Sequence, residues 1–214
     1  MLYLLDANIL ITAANTYYGI SRVPEFWSWL QHQEASGQIK IPVEMYEEVL
    51  EGRKHDDELL DWVKNDTNRK ALIFDEESNP VLVRRVVKEG YGDDLTDDEI
   101  EKLGRDPFLI AYGLADANRC IATTEVSKPS KHRHNRHIPD VCAALKLNCF
   151  GPWDLNKHLG FKTGWKGVIS CEVLGLVWPS LSLFLHYLNL RLPCPSRFSA
   201  GGCRWDSETR GRRI

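Results

Sequence analysis

Leu2-Tyr3-Leu4-Leu5-Asp6-Ala7-Asn8 is the stretch that decides the fold. Four apolar residues ended by an acid and an amide read as a short buried strand that stops at Asp6. Working outward, Val23, Phe26, Trp27 and Leu30 recur at helical spacing, and Gly37 closes that helix. Residues 38–41 form a second strand, after which Pro42 opens a helix over 43–51 with Gly52 as its stop. Further helices fit 58–64 and 81–88, and Thr96-Asp97-Asp98-Glu99 is a capping box ahead of 100–103. Asp106, as N-cap before Pro107, starts a helix with Phe108, Ala111, Tyr112 and Ala115 on one face. A strand over 120–123, a helix over 140–145 and a strand over 147–150 complete the series. Short strands alternating with helices predict an α/β fold with a mainly parallel sheet.

The whole chain has 27 Lys+Arg and 30 Asp+Glu in 214 residues, a net charge of -3. With 43% hydrophobic residues and no heptad run, disorder, collagen and coiled coil are excluded. The average charge argues against a strongly basic nucleic-acid binder, but the charge is unevenly placed. Residues 1–161 carry 19 basic and 27 acidic side chains, a net of -8, whereas 162–214 carry 8 and 3, a net of +5. This predicts a domain over 1–161 and a tail over 162–214 that is apolar and then basic. The six cysteines form no C-x-x-C pair, and no basic segment precedes the apolar start. Both point to a reduced, cytoplasmic protein.

In open parallel sheets, ligands sit beyond the carboxyl ends of the strands, and acids recur there. Asp6 ends the first strand, Glu48 lies in the helix after the second, Asp106 opens a helix, and Glu125 follows the 120–123 strand. Asp140 comes after a basic loop. Each has an ordinary structural reading as well: a turn cap for Asp6, a solvated face for Glu47-Glu48, an N-cap for Asp106. Several carboxylates meeting at one sheet edge repel one another unless a cation neutralises them. Hard divalent cations with oxygen ligands suit such a set, and the chemistry indicated is metal-assisted hydrolysis of a phosphodiester.

These residues resemble the motifs of PIN-domain nucleases. Tyr3-Leu4-Leu5-Asp6-Ala7-Asn8-Ile9-Leu10 is similar to the family's first strand with its D-x-N signature. Ile41-Pro42-Val43-Glu44-Met45-Tyr46-Glu47-Glu48-Val49-Leu50 resembles the segment that supplies the second acid, with Glu48 the better match. Asp106-Pro107-Phe108-Leu109-Ile110-Ala111 resembles the third-acid helix, and Ile121-Ala122-Thr123-Thr124-Glu125 the T-x-E strand end. The resemblance spans about residues 1–160. It implies a three-layer α/β/α fold and Mg²⁺- or Mn²⁺-dependent cleavage of single-stranded RNA. It also implies a place as the toxin of a toxin–antitoxin pair, with a cognate antitoxin and a homodimer as partners.

On this reading Asp6, Glu48, Asp106 and Glu125 are the metal ligands, with Asp140 the competing fourth acid in Ile138-Pro139-Asp140-Val141-Cys142. Asn8 and Thr123 would orient carboxylates. The run 128–137 is the most basic in the domain, and Lys128, Lys131, Arg133 and Arg136 are its candidate phosphate contacts. The competing function is a catalytically inactive PIN-like binding or scaffold module. The chain also departs from compact family members by extra helical material around 58–104. In the tail, 173–190 has no charged residue, but Pro179, Ser180, Ser182, His186 and Asn189 argue for a buried or partner-binding helix rather than a membrane span. An altered reading frame after about residue 161 is a further reading of that change in composition.

Overall fold

A computed structural model describes residues 1–51 and 57–167. The predicted stop at Gly52 and the apolar stretch 173–190 lie outside the described residues. The chain divides after Val168, seven residues past the boundary expected from charge, and Met1–Val168 is one compact unit. Among the described residues, no helix is long and apolar enough to cross a membrane.

The first strand is β1 (Leu2–Leu5), and Asp6 caps the helix α1 (Ala7–Thr12) that leaves it. A π-helical turn, Ala13–Tyr17, extends α1 before α2 (Pro24–Ala35), β2 (Ile39–Lys40) and α3 (Val43–Leu50). The inserted region holds α4 (Glu58–Lys64), α5 (Asp66–Leu72), α6 (Pro80–Arg85) with a π-helical extension Val86–Tyr91, and α7 (Asp97–Lys102). Then come α8 (Asp106–Leu114), β3 (Arg119–Ala122), α9 (Ile138–Ala144), β4 (Cys149–Phe150) and α10 (Pro152–His158).

The four strands form one sheet in the order β2-β1-β3-β4, and every pairing is parallel. Such a sheet needs cover on both faces, and the strand residues are apolar on both apart from Lys40 and Arg119. Leu4 pairs with Ile121, and Ile121 faces α8 so closely that a Cβ on Gly113 would lie 3.1 Å from its Cδ1. Neighbouring residues point the other way: Tyr3 meets Phe150 edge-on at 5.8 Å, and Phe150 meets His158 of α10. Helices α3, α6 and α9 pack around α8, while α4 and α2 pack around α5. The result is a three-layer α/β/α fold with a parallel sheet, as the sequence predicts.

Three local expectations need correction. Asp106 is the first helical residue of α8, and Arg105 occupies the N-cap without a side-chain capping bond. Pro107 follows at the second position, where its missing N–H costs nothing. Nor does α8 have a single buried face. Leu109, Ile110, Ala111, Tyr112 and Gly113 are all buried while Ala115 is exposed, because sheet and helices enclose α8 from several sides. Finally, α5 and α10 have no counterpart in the sequence reading. The capping box of α7 forms as expected, with Thr96 and Glu99 exchanging bonds.

The π-helical extension of α6 packs against α9 through Gly90, where a Cβ would lie 2.6 Å from Cγ1 of the buried Val141. Gly90→Ala should therefore destabilise the domain by about 1–3 kcal/mol, read as a lower urea midpoint. An unchanged midpoint would mean that this approach is not close-packed in solution.

Candidate functional site

Because every strand is parallel, all carboxyl ends lie along one edge, and the two central strands deliver Asp6 and Thr123 there side by side. The backbone N–H of Asp6 donates to Ala122 O at 2.9 Å, which carries the β1–β3 pairing one residue past the strands. The Asp6 side chain is 2% exposed. Thr123 Oγ1, also buried, donates to Asp6 Oδ2 at 2.6 Å, and the Asn8 backbone N–H donates to Oδ1 at 3.3 Å. The Asn8 side chain adds a further bond to the same carboxylate. Thr123 Oγ1 in turn accepts the Glu125 N–H at 3.1 Å. Asn8 and Thr123 thus both hydrogen-bond the Asp6 carboxylate, and Thr123 fixes the turn that carries Glu125.

Asp106 reaches the same edge by a different route. Its helix α8 leads into the start of β3, so α8 runs back along the strands and its first residue stands near their carboxyl ends. Helix α3 lies antiparallel to α8. Glu44 near its start meets Tyr112 Oη at 3.4 Å, while Arg105, just before α8, pairs with Glu51 at 2.6 Å and Glu47 at 3.5 Å. This pairing resolves the Glu47-Glu48 ambiguity. Glu47 is exposed and tied to Arg105, whereas Glu48 is half-buried and turned toward the acids.

Neighbouring carboxylates act on Asp6, Glu48 and Asp106. Burial first, then the charges of Asp6, Glu125 and Glu48, push the Asp106 carboxyl up from 3.8 to about 8. Burial also raises Asp6, against the hydrogen bonds from Thr123 and Asn8 that favour its charge, with Glu125 adding repulsion. Glu48 is raised by burial and by Asp6, with Arg105 opposing. No hydrogen bond or ion pair from a described residue reaches the Asp106 carboxylate. Among the described residues, no three or more His, Cys, Asp or Glu side chains close into a ligand set. The donor chemistry nonetheless fits a hard divalent cation: carboxylate oxygens, buried at Asp6 and partly buried at Glu48, Asp106 and Glu125, with capacity left unused.

Asp140 and Glu125, the competing fourth acids, are separated by the structure. Glu125 faces the cluster, accepts the Ile138 N–H at 2.7 Å through Oε2, and lies 3.9 Å from His137 Nδ1. The Asp140 carboxylate closes a loop, taking the Ser127 hydroxyl and the Lys128 N–H, the latter at 2.7 Å. Slight burial raises Asp140, but those two bonds, Arg136 and His137 outweigh it and hold the group below its ordinary value. Its charge does not figure among those acting on Asp6, Glu48 or Asp106.

The basic loop is also more committed than its composition suggests. Arg133 grips Glu99 with Nε and Nη2 at 2.8 and 2.7 Å, and Asp94 with Nη1 at 2.7 Å. His134 meets Glu99 at 3.0 Å, and Arg136 donates to the Gly90 and Asp140 carbonyls. Of the four candidate phosphate contacts, Arg133 and Arg136 are therefore internal clamps against the α6–α7 insertion, and Lys128 and Lys131 face solvent.

Residues 3–163 match the model of a family described as a domain of unknown function, DUF4411. The chain belongs to the DUF4411 family. No curated protein and no solved structure matches it. The DUF4411 match covers the described strands apart from Leu2 and every acid of the cluster, so the site belongs to the family segment of the chain.

Two polar groups near this DUF4411 site escaped the sequence reading. Tyr91 ends the π-helical extension of α6. Its buried hydroxyl has no described partner, and burial followed by the Asp106 charge drives its pKa far up. The His137 Nδ1 is likewise buried and makes no hydrogen bond to a described residue, with Glu125 Oε2 3.9 Å away. Tyr91 gave no signal because a lone Tyr in an insertion matches no motif, and His137 was absorbed into a basic run.

The Asp106 shift sets a pH dependence. Its folded pKa lies above the unfolded value, so the stability it contributes is complete below about pH 4 and declines until about pH 8. Metal-free protein should lose melting temperature across that window, and Asp106→Asn should flatten the decline. The rise in melting temperature on adding Mn²⁺ should grow with pH, because binding displaces the Asp106 proton. A pH profile identical in the parent and Asp106→Asn would refute the assignment.

Proposed function

We propose that the chain is a metal-dependent nuclease that hydrolyses phosphodiester bonds in single-stranded RNA. The observation that carries this reading is the convergence of Asp6, Glu48, Asp106 and Glu125 at one sheet edge, where burial and neighbouring acids raise the pKa of Asp6, Glu48 and Asp106. A binding or scaffold module has no need of a buried, mutually repelling carboxylate set, which lowers stability unless a cation joins it. The similarity of the same four positions to the acids of PIN-domain nucleases supports RNA as the substrate class. It also supports a toxin role with a cognate antitoxin.

Asp6, Glu48, Asp106 and Glu125 would hold Mg²⁺ or Mn²⁺. When bound, such an ion lowers the pKa of a coordinated water and stabilises charge developing on phosphate oxygens. The chain's own residues prepare the site for this. Thr123 holds the Asp6 carboxylate in one orientation, and the bonds from Thr123 and Asn8 favour its charged form, partly offsetting the effect of burial. The Ile138 N–H restrains one oxygen of Glu125. Arg105 keeps Glu47 and Glu51 turned outward, so that Glu48 alone of its helix face joins the acids. Lys128 and Lys131 supply positive charge for a phosphate backbone next to an acidic edge.

Metal-dependent cleavage of single-stranded RNA tests the proposal. Asp6→Asn should abolish cleavage, and Thr123→Val, which deletes only the orienting hydroxyl, should reduce it by about 10–100-fold. Asp140→Asn should leave turnover within a few-fold of the parent, because Asp140 closes a loop outside the cluster. Equal activity in the parent and Asp6→Asn would rule the nuclease out.

A further inference from the structure

The sheet edge that carries the acids also carries the described residues' most exposed aromatic rings. Tyr17 and Trp153 are 48% and 58% exposed, while the other described Trp, Tyr and Phe side chains are buried or half-buried. Both positions follow from the topology. Asp6 caps α1, and the π-helical turn that extends α1 ends on Tyr17. Trp153 lies in the first turn of α10, which starts right after β4 reaches the same edge. The rings meet edge to face, with centroids 5.1 Å apart at 66°.

Neither ring is needed to fill the core. That task falls to the layer behind them, where Tyr18 stacks on Phe26 at 4.1 Å and Phe161 packs edge-on against both. The layer also fixes the outer pair. Tyr18 approaches Trp153, its carbonyl accepts the Trp27 indole N–H at 2.6 Å, and its hydroxyl accepts from the Asn156 amide at 3.2 Å. Tyr17 and Trp153 are thus exposed rings on a rigid backing.

The ledge is linked to the acids through Thr124. A small cavity of about 20 Å³ is walled by Tyr17, Trp153 and Thr124, among others. Thr124 sits between Thr123, which holds Asp6, and Glu125. No charged side chain lines this cavity. It is too small for a base, so a base can only lie on the outer ring faces. Uncharged π faces next to a phosphate-directed site suit the bases of a single strand, whose stacking tolerates any sequence.

We propose that Tyr17 and Trp153 form a stacking ledge for a base of single-stranded RNA, setting the strand's path past the carboxylate cluster. This inference rests on the nuclease reading for its substrate, but binding tests it separately from cleavage. The full chain is titrated in metal-free buffer with a short oligouridylate and with an abasic ribose-phosphate oligomer of equal length. The oligouridylate should bind on the order of tenfold more tightly. Tyr17→Ala and Trp153→Ala should bring that ratio close to one without changing the affinity for the abasic oligomer. Trp153→Phe, which keeps a π face, should retain most of the preference. No preference in the parent, or a preference untouched by both alanine variants, would overturn the ledge. Cleavage with Mn²⁺ is scored apart. Base-dependent binding without cleavage upholds the ledge and sinks the nuclease reading, whereas cleavage without base-dependent binding does the reverse.

Discussion

The carboxylate of Asp6 is the constraint on which the rest of the structure depends. It is almost fully buried, and the groups that bond to it are neutral: the Thr123 hydroxyl and the Asn8 amides. A buried charge is normally paired or bound to a metal. Here the nearest charges are other carboxylates, from α3, α8 and the end of β3. The parallel β1–β3 pairing makes this arrangement unavoidable, since it places Asp6 beside Thr123 and directs α8 to return its first residue to the same edge. The fold concentrates negative charge at one point, which the proposed divalent cation would offset.

The inserted helices help to shape the surroundings of that point. Glu99 caps α7 and also receives Arg133 and His134, so one carboxylate joins the insertion to the loop after β3. Arg133 is thereby held within the chain, as Arg136 is by the Gly90 and Asp140 carbonyls, and the surface that remains positive is smaller than the run of Lys, Arg and His suggests. The net charge of -8 over residues 1–161 has a similar origin, because part of the acidic excess is concentrated in the cluster. Neither the overall charge nor a local basic run describes how the protein would meet a polyanion. The pairing of individual groups does.

Much of this was legible in the sequence, for physical reasons that can be named. The strand Leu2–Leu5 was legible because a fully buried parallel strand is a continuous apolar run ended by a polar residue. The capping box was legible because its chemistry is local. The four acids stand out as candidates because topology places strand ends together, whatever the details of packing. Long-range choices were not legible. Whether Glu125 or Asp140 joins the cluster depends on Ser127 and Lys128 claiming Asp140. Similarly, Arg133 becomes a clamp only because Asp94 and Glu99 fold against it. Helix α8 shows too many buried positions for a one-face pattern, since it is enclosed from several directions. The short helices α5 and α10 lack the length over which a period becomes visible.

The account turns on one claim, that the cluster is built to hold a divalent cation. Anomalous diffraction from crystals grown with Mn²⁺ tests it most directly. The account predicts one strong Mn²⁺ peak within bonding distance of Asp6 and Asp106, with Glu48 and Glu125 completing or bordering its ligands. No peak there at saturating Mn²⁺, or an ion held only at other carboxylates, would contradict it.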